Sequence, residues 1–107
     1  MADKHIAVAN VLIDIEAAMR ELQLWESSPP SAEALASTQP FAIDTLSFTE
    51  WLQFIFLPRL QQLVEQRGSL PVNCQIAPMA QEYFRPMAIS GEALIIELQR
   101  IDTLLSQ

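Results

Sequence analysis

A chain of 107 residues, half of them hydrophobic and 18% charged, supplies one buried core and leaves no room for a second domain, so residues 1–107 are read as a single unit. Thirteen acids against six bases, with Lys4 the only lysine, give a formal charge of −7. That balance removes the basic footprint that phosphate neutralisation needs, so neither direct nucleic-acid binding nor docking on an anionic membrane is expected.

Residues 5–25 carry Val8, Val11, Leu12, Ile15, Met19 and Leu22 at three- and four-residue spacing, the pattern of an amphipathic helix. Asp3 is placed to cap its start, and Glu16 with Arg20 forms a favourably ordered i, i+4 pair. From Glu26 to Pro40 the chain turns to Ser27, Ser28, Ser31, Ser37, Pro29, Pro30 and Pro40, which predicts a long connection with at most one helical turn near Ala32–Leu35. Ser47 and Glu50 then form an S-x-x-E capping box, with Leu46 and Trp51 as its hydrophobic staple. Phe48, Trp51, Leu52, Phe54, Ile55, Phe56 and Leu57 surround nearly the whole circumference of this second helix, which predicts a central, largely buried element. Pro58 withdraws the donor that would reach the Phe54 carbonyl, so a kink or short break is expected there, and Gly68 is expected to end the helix.

Pro78 suits the first turn of a short third helix reaching about Arg85, with Met79, Ala80, Tyr83 and Phe84 inward. Ser90 can cap the last helix, with Ile89 and Leu94 as a second staple and Leu94, Leu98, Ile101 and Leu105 as its stripe. No alternating strand pattern occurs. The whole predicts an all-α fold: a single compact four-helix bundle with a kinked, largely buried second helix and a short third helix.

Cys74 is the only cysteine, which excludes an internal disulfide framework and suits a reducing compartment. Trp51 to Pro58 is an uncharged, mostly apolar stretch that falls far short of the ~20 residues of a membrane helix. Asp3, Lys4 and Asp14 interrupt any secretory signal, so a cytoplasmic protein is expected.

The chemical inventory is thin. His5 is the only histidine, no Gly-rich phosphate loop is present, and a single thiol with a single imidazole rules out zinc of the usual Cys/His type. No catalytic residue, metal or cofactor is therefore expected. What stands out is Arg59: on an unbroken helix it would project near Phe48, Leu52 and Ile55, where a guanidinium needs a partner. Either Pro58 turns it outward, or it pairs with Asp44 or Glu82 as a clamp, or it anchors an anion beside an aromatic wall. On the last of these, Asp44, Gln53, Trp51, Phe54, Arg59 and Tyr83 are the candidate binding residues.

The strings Ser37-Thr38-Gln39-Pro40-Phe41, Asp44-Thr45, Glu50-Trp51-Leu52-Gln53, Pro58-Arg59, Leu70-Pro71 and Ile76-Ala77-Pro78, in this order and spacing, resemble the YqcC-like family of small bacterial proteins. The resemblance implies a helical bundle without an assigned activity, cofactor or catalytic residue. It also implies a genomic setting beside a tRNA pseudouridine synthase.

Two functional classes lead, with an enzyme of unrecognised type a distant third given the thin inventory of acids, bases and nucleophiles. The first is a non-enzymatic protein-interaction module, an acidic bundle that docks through the Gln39–Thr45 loop and the edge of the second helix on a protein partner, an RNA-modifying enzyme being the candidate. The second is a small-ligand-binding bundle whose pocket is walled by Trp51, Phe54 and Tyr83, with Arg59, Gln53 or Asp44 as polar groups. The surplus apolar residues Ile6, Ile13, Leu24, Leu57 and Ile96 either form a homodimer face or lie beneath the long loop and the third helix.

Overall fold

The computed structural model describes residues 3–38, 46–72, 74–87 and 90–106. Helix α1 spans Lys4–Glu21 and α2 is the single turn Ala32–Leu35. Three consecutive segments, α3 (Phe48–Trp51), a π-turn (Leu52–Phe56) and α4 (Leu57–Glu65), make one rod with right-handed dihedrals across both junctions. Helices α5 (Ile76–Phe84) and α6 (Glu92–Leu105) complete the order. The all-α expectation holds: the described residues contain no strand, and counting the rod once they hold five helices rather than four.

The helix starts follow from local chemistry. Asp3 accepts from the His5 backbone N–H at 2.9 Å, and both halves of the Ser47–Glu50 capping box are formed. The ends depart from expectation. Helix α1 stops at Glu21, not near Trp25, because Gln23 takes a φ of 61° and the Leu24 N–H donates to the Met19 carbonyl at 2.8 Å. Helix α4 ends in the same way, with Arg67 at φ 50° and the Gly68 N–H donating to the Leu63 carbonyl at 2.8 Å. Both are Schellman closures with a side chain in the left-handed position, so Gly68 supplies a donor and not the left-handed residue.

The expected break at Pro58 is replaced by the π-turn before it. The Leu57 N–H reaches back five residues to the Leu52 carbonyl, which widens the rod just before the proline ring and lets the helix continue through it. Helix α5 begins two residues earlier than expected, at Ile76. Its first two N–H groups are satisfied from another helix: the Asp102 carboxylate accepts from Ile76 N–H at 2.9 Å and from Ala77 N–H at 2.8 Å. The third position is Pro78, which has no N–H to satisfy. Helix α6 is capped by Gly91, not Ser90, whose hydroxyl stands 3.4 Å from the Glu92 nitrogen. Ile89, the expected staple partner of Leu94, lies outside the described residues.

The rods pack as a closed ring. Helix α1 lies against α6 and α4, α6 against α5, and α5 against α3, so each rod has two main neighbours and the second helix, expected to be central, is not. The Glu26–Gln53 pair and the His5–Gly68 contact tie the rod antiparallel to α1 at both ends. Asp102 against Ile76 and Phe84 against Gly91 do the same for α5 and α6. The predicted stripes meet inside: Val8, Ile15, Met19, Leu52, Leu60, Leu94, Leu98, Ile101 and Leu105 are fully buried. A radius of gyration of 13.7 Å matches the ~13 Å of a close-packed chain of this length. No described helix is long and apolar enough to cross a membrane.

Of the surplus apolar residues, Leu57 is buried, because the π-turn rotates it inward, and Leu24 packs against the core through the α1 closure. Ile6, Ile13 and Ile96 are exposed.

Candidate functional site

Side chains that touch along an α-helix are three or four residues apart; residues five apart are not neighbours. The π-turn changes this, and Trp51 and Phe56, five residues apart, pack with ring centroids 5.3 Å from each other. Phe48 lies 6.1 Å from Trp51 and 5.7 Å from Tyr83. The aromatic wall is therefore Tyr83, Phe48, Trp51 and Phe56 in sequence across the surface. Phe54, half-buried, lines neither of the clefts that this wall borders.

Trp51 divides those clefts. One, of about 460 Å³, lies among Leu46, Phe48, Met79, Glu82 and Tyr83. The other, of about 440 Å³, lies between the rod and residues 71, 72 and 74–76, with Phe56, Leu60 and Ile76 as its walls and Arg59 beside them. Tyr83 and Arg59 thus share Trp51 as a neighbour yet face different clefts. Arg59 is exposed and lines its cleft with Trp51, Phe56 and Leu60, a cleft that Phe48, Leu52 and Ile55 do not line. Among the described residues it has no ion pair, and Glu82, one proposed partner, is held by Arg85 at 2.7 Å. Asp44 and the Gln39–Thr45 loop lie outside the described residues.

Gln53 is buried and engaged at both ends of its amide. The Glu26 N–H donates to its Oε1 at 2.8 Å, and its Nε2 donates to the Glu26 carbonyl at 2.9 Å. This reciprocal pair holds the chain leaving α1 against the rod, and Gln53 lines neither cleft.

Because neighbouring rods are antiparallel, the C-terminal ends of α1 and α5 meet the N-terminal ends of α3 and α6. Glu21, Glu26, Glu50, Glu82 and Glu92 are carried to this end. The two arginines nearby, Arg20 and Arg85, are held by Glu16 at 3.0 Å and Glu82 at 2.7 Å. At the opposite end Asp3 pairs with Arg67, beside Lys4 and Glu65. The negative charge is therefore concentrated at one end, a polarity that composition alone does not carry. The Arg67 hydrogen bond holds the Asp3 carboxyl below its ordinary range, and burial raises the Cys74 thiol above its own, with Asp102 adding to it. No group of three or more His, Cys, Asp or Glu among the described residues could hold a metal ion.

Fold and site together define a small all-helical domain with two apolar surface clefts on either side of one tryptophan and an acidic end. Residues 7–104 match the DUF446 family model, described as tRNA pseudouridine synthase C, and the chain belongs to that family. It is similar to the uncharacterised protein YqcC of Escherichia coli, 35% identical over 94% of this chain and 92% of that one. The solution NMR structure of E. coli YqcC superposes with a TM-score of 0.86 at 30% identity, covering 99% of this chain and 91% of that one. An uncharacterised Haemophilus influenzae protein is 45% identical over 66% of this chain and 67% of its own length. A protein of Pectobacterium carotovorum named tRNA pseudouridine synthase C is 47% identical over 60% of this chain, a stretch that makes up 17% of that longer protein.

Proposed function

We propose that this chain is a non-enzymatic protein-interaction module, a bundle of four long rods that docks its acidic end on a basic partner in the cytoplasm. The observation that carries this reading is the charge polarity: Glu21, Glu26, Glu50 and Glu92 gather where Arg20 and Arg85 are already neutralised by other acids. Such a surface attracts a positively charged one and steers its approach. An RNA-modifying enzyme is the partner class that fits best, since proteins that hold tRNA carry basic surfaces. The similarity of 64 residues to part of a much longer chain named tRNA pseudouridine synthase C supports a tRNA pseudouridine synthase in particular.

Titration calorimetry of the purified chain against that synthase tests the reading at low and at moderate salt. Binding is expected at low ionic strength and should weaken as the Debye length falls from roughly 30 Å at 0.01 M to about 10 Å at 0.1 M. Glu21→Gln, Glu26→Gln and Glu92→Gln together should weaken it further, while Glu65→Gln at the opposite end should not. No heat or mass change at low salt would overturn the choice of partner, and equal loss from Glu65→Gln would overturn the choice of surface.

A further inference from the structure

We infer that the cleft between the rod and residues 71, 72 and 74–76 is a binding site for a small amphiphilic carboxylate, with Arg59 as its anion anchor. Its walls are Trp51, Phe56, Leu60 and Ile76, and Val72, 65% exposed, stands on its rim. A volume of about 440 Å³ falls in the range of small-molecule sites, roughly 300–1,000 Å³. An apolar body of that size with one polar end matches a lining whose polar side chains are few and lie at the edge. Gln75 also lines the cleft and adds a neutral amide donor.

Charge selects the ligand's polar end. Arg20, Arg67, Arg85 and Arg100 each pair with an acid within 3.0 Å, whereas Arg59 has no such partner among the described residues. None of the described residues lining the cleft is acidic, although the chain as a whole carries −7. Positions three and four away on its own helix are Phe56, Gln62, Ile55 and Leu63, none of which can neutralise it. The cleft is thus a local positive spot lined by hydrocarbon. A guanidinium prefers a carboxylate through paired N–H donors, and a ligand supplying one completes the only described arginine left without an acid. This site is separate from the acidic end and stands independently of the docking reading.

The test is heteronuclear NMR titration of the whole chain with octanoate, octanol and octylammonium, which share one tail and differ in the head. Octanoate is expected to shift the Trp51 indole, Leu60 and Ile76 signals saturably, at least about tenfold more tightly than octanol, with octylammonium weakest. Arg59→Gln, at an exposed position, should lose roughly tenfold for octanoate and leave octanol unchanged. Val72→Asp, also exposed, should abolish octanoate binding by placing a carboxylate on the rim, and Arg85→Gln should change nothing. Equal affinity for octanoate and octanol, an unchanged Arg59→Gln, or shifts mapping to another face would each overturn the inference. Tighter binding of N-acetyl-leucyl-valine than of octanoate would assign the cleft to a protein C-terminus and overturn it as well.

Discussion

Asp102→Ala removes a helix cap that comes from another helix. Its carboxylate accepts from Ile76 N–H at 3.0 and 2.9 Å and from Ala77 N–H at 2.8 Å, and both residues are almost completely buried, 2% and 3% exposed. Removing a local cap costs about 0.5–2 kcal/mol, and a buried donor left without an acceptor costs about 1–3 kcal/mol. Asp102 is itself half-buried, so water reaches part of the vacated space and the two donors do not both incur the full cost. The expected loss is about 2–3 kcal/mol, which is roughly 8–20 °C in Tm for a domain of this size. Asp102→Asn keeps one acceptor oxygen without the charge and should lose about half as much. Urea denaturation followed by circular dichroism measures both, and hydrogen exchange should show Ile76 and Ala77 deprotected before the α6 core. A change under about 0.5 kcal/mol in Asp102→Ala would refute the cross-helix cap.

Gly91→Ala places a Cβ within 2.2 Å of the Phe84 ring and should cost about 1–3 kcal/mol by thermal denaturation, a cost that disappears when the same change is made in a Phe84→Ala background. Gln23→Gly relieves a left-handed side chain at an exposed closure, so it should raise stability by about 0.5–1 kcal/mol, whereas Gln23→Val should lower it. Asp3 has a folded-state pKa held below its unfolded value by Arg67, so this contact stabilises the fold above the ordinary carboxylate range and its contribution is lost as pH falls through the depressed value. Wild type and Arg67→Gln should therefore differ in stability at neutral pH and converge in strong acid, as followed by acid titration of the circular dichroism signal.

Periodicity and caps made much of the fold legible. The stripes Val8 to Met19 and Leu94 to Leu105 and the Ser47–Glu50 box are local patterns, and each became a buried face or a formed cap. The candidate site was legible only in its residue types. Trp51 and Arg59 border one cleft, but Phe56 replaces Phe54 in the wall, because a uniform turn of 100° per residue does not anticipate the π-turn upstream of Pro58. Gln53 is expected from sequence to be a polar group of a ligand pocket and is instead a buried clamp, since its partner, Glu26, is brought to it by the path of the chain after α1.

Sequence by itself therefore determined that this protein is all helical, where α1 and the rod begin, and which faces turn inward, because side-chain spacing and first-turn chemistry act within a few residues. Tertiary structure alone decided that Asp102 caps α5, that the bare Cα of Gly91 admits the Phe84 ring, that acids from four separate rods share one end, and that Arg59 stands beside a hydrocarbon cleft. Those relations join residues far apart in the chain, and their partners are set by the antiparallel order of the rods, on which local pattern is silent.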